Sequence, residues 1–190
     1  MLFHDIKFIP VNSMIDNRTC IQILHRQKVP IHIIRHCAVV ARVGCKLADN
    51  LRSKGEVIDI DIVRAGGLLH DIAKMQAIEN GGDHAEIGAR FLESLGYYRV
   101  AEIVRQHVFL KEPVKPASSL SEELVVNYAD KRVMHTKVVS LDERFQDLFK
   151  RYGENRLAIE KIEELYKQVR IMEQLIFSRM AIKPEDIQYP

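Results

Sequence analysis

The chain has few of the features that fix a structure by covalent links or by a membrane. Tryptophan is absent, and the only cysteines are Cys20, Cys37 and Cys45. Their odd number and the lack of a CxxC spacing argue against a disulfide framework, so we expect reduced thiols. No charge sign is in large excess either, since the formal net charge is +2. Such a balance gives no strong sign of nucleic-acid binding.

Long apolar runs are also missing. No stretch approaches the roughly 20 apolar residues that a membrane-spanning helix needs. The segment Met1 to Pro10 has His4, Asp5 and Lys7 among its apolar residues, unlike a signal peptide. We therefore expect a cytoplasmic protein with no membrane partner. A chain of 190 residues that is 47% hydrophobic can bury a sizeable core, which favours a single domain over residues 1–190.

Apolar residues recur at helical spacing along most of the chain. This spacing predicts a helix from Pro30 to about Ser53 and an amphipathic helix over Ser140 to Tyr152, ended by Gly153. A near-heptad stripe follows over about residues 155–180 and predicts a long C-terminal helix, packed mainly on its own domain. Strands are not needed anywhere. We predict an all-α helical bundle with a core of about residues 16–152, and the last helix leaves a homodimer open.

Several helix boundaries follow from caps and turns. Asp16 is expected to cap a first helix that ends at His25 or Arg26. Asp59 or Asp61 is expected to begin a helix that ends near Lys74 or Met75. A turn-rich loop, Gln76 to Asp83, is then predicted to deliver His84 to the start of the next helix.

Two further predicted helices carry potential metal ligands. A short helix is expected over Tyr98 to Phe109, with His107 near its end. Pro113 and Pro116 break the chain after it. Ser119 or Ser121 is then expected to cap a helix that presents Asp130.

The most informative feature is the pair His70-Asp71, which closes the apolar run 65–69 and precedes Lys74 by one helical turn. Burying an adjacent histidine and aspartate is costly unless a charged group satisfies them, and a metal ion is the simplest candidate. Neighbouring helix positions point about 100° apart, so both side chains can reach an ion that lies between helices. The pair therefore predicts an active site.

Other residues of metal-ligand type lie on separate predicted helices or at their ends, namely His36, His84, His107 and Asp130. Helical folds build metal sites by such convergence of side chains from several helices. Imidazoles and carboxylates without thiolates suit Mn, Fe, Co, Ni or Zn and disfavour a structural zinc cage. We expect one or two divalent ions.

The order of these residues resembles the HD-domain superfamily of metal-dependent phosphohydrolases, and within it the six-ligand subgroup that carries two metals. Four segments carry the resemblance: PIHIIRHCAVVARVGCKL at 30–47, AGGLLHDIAK at 65–74, HAEIGARFLESLG at 84–96 and VVNYADKR at 125–132. The resemblance as a whole covers roughly residues 16–152. One departure is Ala73, where many relatives have the glycine of an HDIGK string. Alanine leaves the ligands untouched but puts any close-approach role of that glycine in doubt.

The resemblance implies how the metal ligands divide. His36, His70, Asp71 and Asp130 would hold one ion, and Asp71 with His84 and His107 would hold the other. It also implies hydrolysis of a nucleotide-like phosphomonoester, phosphodiester or phosphoanhydride by a metal-bound hydroxide. Asp71 and Lys74 are the candidate catalytic residues. The candidate contacts to substrate phosphate are Lys74, Arg105, Lys131, Arg132 and His32.

Two other functions stay open at this level. Some oxygenases of the HD fold use the same six ligand types around two iron ions, and they would consume oxygen. A non-catalytic module would bind a nucleotide or metal without turnover. The candidate phosphate contacts also have plainer explanations, since Lys74 can satisfy a helix dipole and the arginines can be solvated.

Overall fold

The computed structural model describes residues 15–187. The prediction about Met1 to Pro10 therefore lies outside the described residues. Within the described range, the structure contains no helix with the length and apolarity that a bilayer crossing requires.

Helices account for most of the described chain, as the apolar spacing predicts. They are α1 Asn17–Arg26, α2 Ile31–Arg52, α3 Ile60–Leu69, α4 Lys74–Asn80, α5 His84–Ser94, α6 Tyr98–Gln106, α7 Glu122–Lys131, α8 Leu141–Tyr152 and α9 Arg156–Ser178, followed by a 3₁₀ turn at Pro184–Asp186. The all-α prediction is confirmed as a fold class.

Side-chain caps fix several of these boundaries where the sequence predicts them. Asp16 accepts a hydrogen bond from the Thr19 amide at 2.7 Å and begins α1. Ser140 begins α8 with a reciprocal capping box to Glu143. Because each cap satisfies amide groups that have no partner within the helix, the first turn forms at a defined residue.

The helix that precedes His70-Asp71 ends earlier than predicted. It stops at Leu69, and residues 70–73 form a turn before α4 begins at Lys74. Hydrogen bonds from Ile72 N to Leu69 O and from Lys74 N to Asp71 O tighten this turn to three-residue spacing. The predicted loop Gln76 to Asp83 is wrong over most of its length, because α4 occupies it as far as Asn80.

A small β-hairpin corrects the prediction that no strand is needed. Strand β1, Val133–Met134, pairs antiparallel with β2, Lys137–Val138. Arg132 closes the hairpin base, since its Nε donates to Val139 O at 2.7 Å. The hairpin is too short to show an alternating pattern, so sequence spacing could not reveal it.

Helices α2, α3 and α7 form the centre of the core. The α2–α3 crossing is close, because a Cβ on Gly67 would lie 2.6 Å from Ala41 Cα. In α9 the second half is buried, with Val169, Met172, Leu175 and Ile176 facing the domain. In its first half, the side chain of Leu157 is 61% exposed. Ile162 and Leu165 are partly buried against the core. The predicted packing of the apolar stripe on its own domain thus holds from Ile162 onward and fails at Leu157.

Candidate metal centre

His70 lies at the C-terminal end of α3 and is completely buried. Its Nδ1 donates to Gly67 O at 2.9 Å, because a carbonyl oxygen can only accept. Its Nε2 has no hydrogen-bond partner among the described residues. This atom lies 3.6 Å from Asp71 Oδ2 and 3.6 Å from Asp130 Oδ1. A neutral imidazole here would aim a lone pair at two carboxylates, so the geometry favours a cation between them.

Asp71 is shared between two groups of ligand atoms. One group contains His36 and His70, the other contains His84 and His107, and within each group the atoms lie within 4.8 Å of one another. Asp71 Oδ1 lies 3.5 Å from His84 Nε2 and 3.6 Å from His107 Nε2. Its Oδ2 lies on the His70 side. One carboxylate oxygen therefore faces each group.

Asp130, in the last turn of α7, joins the first group. Its Oδ1 lies 3.1 Å from His36 Nε2. The opposite nitrogen of His36, Nδ1, donates at 2.8 Å to the carbonyl of His135 in the hairpin turn. Helix α7 and the hairpin that follows it therefore position His36 together.

The imidazoles present the same nitrogen to the centre. As in His36 and His70, Nδ1 of His107 donates to a carbonyl, that of Val104, at 2.6 Å. The Nε2 atoms of His84 and His107 lie 3.1 Å apart. A backbone carbonyl on Nδ1 fixes the tautomer and leaves Nε2 as the ligand atom, which is the usual arrangement behind metal-bound histidine.

The carboxylates are held in their charged form. Burial acts to raise the pKa of Asp71, but His70, His107 and Lys74 hold it well below its usual range. Burial opposes ionisation of Asp130 as well, yet its pKa is well below the usual value because Lys131 and two histidines face it. Both groups are thus anionic at neutral pH, as metal ligands must be.

The second pair of histidines is held neutral. Burial and the neighbouring His107 lower the pKa of His84 to about 4. Burial also lowers the pKa of His107.

For His70, burial opposes protonation, but Cys37, Asp71 and Asp130 raise its pKa well above the usual value. The position between two carboxylates therefore attracts positive charge, whether a proton or a metal ion supplies it.

Two of the predicted phosphate contacts lie at the centre itself. Lys74, in the first turn of α4, places Nζ 2.7 Å from Asp71 Oδ2, and its side chain is 41% exposed. Lys131 is buried and donates to Asp130 Oδ2 at 2.8 Å and to His107 O at 3.0 Å. Lys131 therefore holds two ligand-bearing elements in place rather than offering its charge to a bound molecule.

Arg105, in α6, is not brought to the centre. Its guanidinium forms salt bridges with Glu86, Glu93 and Glu102 at 2.7 to 2.9 Å. Three carboxylates already surround this charge, so the structure gives no support to its predicted phosphate contact.

Arg132 is not brought there either. It is 5% exposed, and it donates to Val139 O, Tyr128 Oη and Pro184 O. Its donors are thus occupied by the protein, and the predicted contact of Arg132 with phosphate is corrected to a structural role.

An open cavity of about 390 Å³ lies beside the centre. It is lined by His32, Ile33, Arg35, His36, Asp71, Lys74, Met75, Ile78, His135, Thr136, Arg144 and Arg151. The predicted candidate His32 is exposed on this wall. A larger and mostly apolar cavity of about 750 Å³ lies elsewhere, between α1, α2 and α3, and contains no ligand residue.

Sequence reasoning missed four basic residues of the smaller cavity, Arg35, His135, Arg144 and Arg151. Arg144 and Arg151 lie two helical turns apart on α8, so they share one face, but nothing local indicates what that face meets. His135 lies in the hairpin turn, which the sequence did not predict. Arg35 precedes His36 on α2, but only the tertiary structure brings the hairpin turn and α8 to the same cavity.

The fold and the centre define a helical domain with two clusters of histidine and aspartate that have the donor atoms to hold a metal ion. The model of the HD domain matches residues 33–134, more than half of the chain, so the chain belongs to the HD-domain family. This family belongs to a superfamily of metal-dependent phosphohydrolases, as the order of the ligands predicts. The two-metal subgroup remains a prediction.

Three relatives differ in how much of them the chain covers. An uncharacterized protein of Methanocaldococcus jannaschii is 32% identical over 143 residues, which are 69% of this chain and 83% of that protein. A tRNA (cytidine(56)-2'-O)-methyltransferase of Picrophilus torridus is 29% identical over 178 residues, 86% of this chain but 48% of the enzyme. Ribonuclease Y of Pseudothermotoga lettingae is 34% identical over 90 residues, 47% of this chain and 17% of that protein. No solved structure matches the chain significantly.

Proposed function

We propose that this protein is a metal-dependent phosphohydrolase that cleaves a nucleotide-like phosphate ester. The observation that carries the proposal is Asp71, a buried carboxylate that faces one histidine group with each oxygen. The unpaired Nε2 of buried His70 supports it, because this atom needs a cation beside it. A metal ion would satisfy both features at once, because it accepts the imidazole lone pair and pairs with the carboxylate oxygens.

The donor set fits two divalent ions. His36, His70, Asp71 and Asp130 would hold one, and Asp71, His84 and His107 would hold the other. Bound ions of this kind supply an activated water nucleophile at neutral pH and neutralise charge on phosphoryl oxygens. Imidazole and carboxylate donors suit Mn, Fe, Co, Ni or Zn.

Lys74 is the residue of this chain that we propose contacts the scissile phosphate. Its ammonium group lies against Asp71, on the wall of the open cavity. A lysine at this place can donate to a phosphoryl oxygen and favour the charge that develops there. Lys131, by contrast, is occupied with Asp130 and the backbone of His107.

Among nucleotide-like esters, we favour a ribonucleotide phosphodiester. Two of the relatives are named for RNA, one as a tRNA methyltransferase and one as a ribonuclease. The chain spans about half of the first protein and less of the second, so their names support a substrate class and no more.

The first test is metal content together with hydrolysis. Tag-free protein purified without chelator is analysed for metals, then assayed with bis(p-nitrophenyl) phosphate and with dinucleotides under each divalent ion. We expect about two ions per chain and hydrolysis in the wild type. D71A should lose nearly all of the bound metal and nearly all of the hydrolysis, while its helical circular dichroism persists.

D61A is the matched control, because Asp61 lies in α3, just before the turn that contains Asp71, but is about half exposed and pairs with Arg64. It should keep the metals and the activity. Hydrolysis that survives in D71A would contradict the proposal. Oxygen uptake that requires reduced iron would favour the oxygenase, and nucleotide binding without turnover would favour the non-catalytic module.

A further inference from the structure

The cavity beside the metal centre has a second basic wall, separate from Lys74. Arg144 and Arg151 of α8 line it, and Arg35 of α2 lies on the same cavity. The side chain of Arg144 is 15% exposed and that of Arg151 is 38% exposed. These arginines are part of a concave surface, so their charges are partly shielded from bulk water.

Asp147 holds the two guanidinium groups of α8 in place. Arg151 donates to it through Nε at 2.8 Å and Nη2 at 2.5 Å, and Arg144 donates through Nη1 at 3.2 Å. Among the described residues, the buried Nε of Arg144 has no hydrogen-bond partner. One carboxylate therefore positions two cations. One positive charge stays unneutralised, and several N–H donors stay without an acceptor in the described part of the chain.

The hairpin turn connects this wall to the metal centre. The carbonyl of His135 accepts from His36 Nδ1 at 2.8 Å, while its ring Nε2 lies 3.5 Å from Arg151 Nη2. His135 has a φ of +57°, in the left-handed region that side-chain-bearing residues seldom adopt. A single unusual backbone position thus fixes the arginine wall relative to a metal ligand.

The charges of the cavity do not balance. Four cations, Arg35, Lys74, Arg144 and Arg151, line it. Asp71 pairs with Lys74, and Asp147 pairs with both arginines of α8, so these ion pairs leave two positive charges in excess before any metal binds. A scissile phosphate at the metal centre, with Lys74 beside it, accounts for none of the charge on α8. The positive charge on α8 can bind a second anionic group of the substrate.

We propose that Arg144 and Arg151, positioned by Asp147 and His135, bind a second phosphate group of the substrate. This inference rests on the proposed function and extends it by specifying that the substrate has two phosphate groups. Guanidinium groups are well suited to phosphate, since they can donate two parallel hydrogen bonds to its oxygens. The second phosphate is joined to the scissile one either through a sugar, as in an oligonucleotide, or directly, as in a nucleoside diphosphate.

Two matched pairs of substrates test this and separate the two sources. The metal-loaded full-length protein is assayed with uridylyl-uridine with and without a terminal phosphate, and with uridine diphosphate against uridine monophosphate. In one pair, the member with the second phosphate should have a kcat/KM about tenfold to a hundredfold higher, the range of charge-assisted hydrogen bonds. The pair that shows the preference identifies the linkage.

The variant R144A/R151A should reduce that preference to nearly equal rates within the pair. R151A alone should reduce it in part, and it serves if loss of the less exposed Arg144 impairs folding. R156A is the matched control, since it also removes one arginine charge, but from the exposed start of α9, where Arg156 pairs only with Glu160 among the described residues. It should keep the full preference.

Binding provides a readout that does not depend on turnover. By calorimetry, uridine 3′,5′-bisphosphate or uridine diphosphate should bind the wild type at least about tenfold more tightly than uridine monophosphate does, and R144A/R151A should lose the difference. If the wild type cleaves bis(p-nitrophenyl) phosphate but neither prefers nor binds the second phosphate, this inference is wrong and the proposed function stands. If it cleaves no ester, the proposed function fails, and calorimetry still decides on the phosphate subsite.

Discussion

At the scale of single residues, the metal centre depends on which nitrogen each imidazole presents. His36, His70 and His107 each donate a hydrogen bond from Nδ1 to a backbone carbonyl, so each directs Nε2 inward. His84 also directs Nε2 inward, where it faces His107 and Asp71. The residue types set which metals fit, but these carbonyls set the direction of the ligand atoms.

The lowered pKa of His84 makes the stability of the metal-free protein depend on pH. Its folded pKa of about 4 lies below the ordinary value of 6.5, so between these values the unfolded chain binds more protons. The contribution of neutral His84 to the free energy of unfolding is therefore complete above pH 6.5 and is lost as the pH falls toward 4. Relative to H84Q, we expect the wild type to lose at most about 3 kcal/mol of unfolding free energy over this range.

Urea denaturation of chelator-treated protein at a series of pH values measures this difference. Above pH 6.5 the two proteins should differ by a constant amount. A difference between wild type and H84Q that stays constant down to pH 4 would contradict the assignment of His84 as a neutral, partly buried ligand.

At the scale of helices, the close crossing of α2 and α3 positions His70. Gly67 lies against the backbone of Ala41, and its carbonyl also accepts from His70 Nδ1. A Cβ at this position would approach Ala41 N to 2.9 Å and Ala41 Cα to 2.6 Å. Backbone cannot yield as a side-chain tip can, so the helices must separate.

We therefore expect G67A to lower the free energy of unfolding by about 1–3 kcal/mol, the usual cost of overpacking a core. It should also weaken metal binding, because it displaces the carbonyl that orients His70. Thermal unfolding and a metal titration measure the two effects. G44A is the control: its Cβ would meet only side-chain atoms, the nearer being Val63 Cγ1 at 2.9 Å, so a smaller loss is expected. Equal losses in both variants would show that the α2–α3 crossing is not special.

At the scale of the whole molecule, Arg132 joins the metal-binding helices to the C-terminal part of the chain. It donates to Tyr128 of α7, to Val139 beyond the hairpin and to Pro184 after α9. Tyr128 in turn donates to Glu173 of α9 at 2.6 Å. This buried network lies behind the centre and connects elements that are far apart in the sequence.

Removing this guanidinium leaves buried acceptors without a donor, so R132A should cost about 3–5 kcal/mol of unfolding free energy. Urea denaturation measures this loss of stability. R156A is the control, because it removes an exposed arginine of α9, and it should stay within about 0.5 kcal/mol of the wild type. An R132A protein as stable as the wild type but with weakened substrate binding would restore Arg132 as a phosphate contact.

The sequence by itself determined the helical class, most helix boundaries and the set of candidate metal ligands. Apolar spacing and caps such as Asp16 and Ser140 are local signals, so they can be read without a structure. The order of ligands around His70-Asp71 is also a property of the linear chain, which is why it predicted the HD family.

Only the tertiary structure decided where the basic residues point and how the centre is enclosed. Arg105 is taken up by three glutamates and Arg132 by a buried network, while Arg144 and Arg151 lie on the cavity. The turn after Leu69 and the hairpin depend likewise on contacts with distant residues. A side chain's partners are set by which helix faces pack together, and that packing joins residues that no local pattern relates.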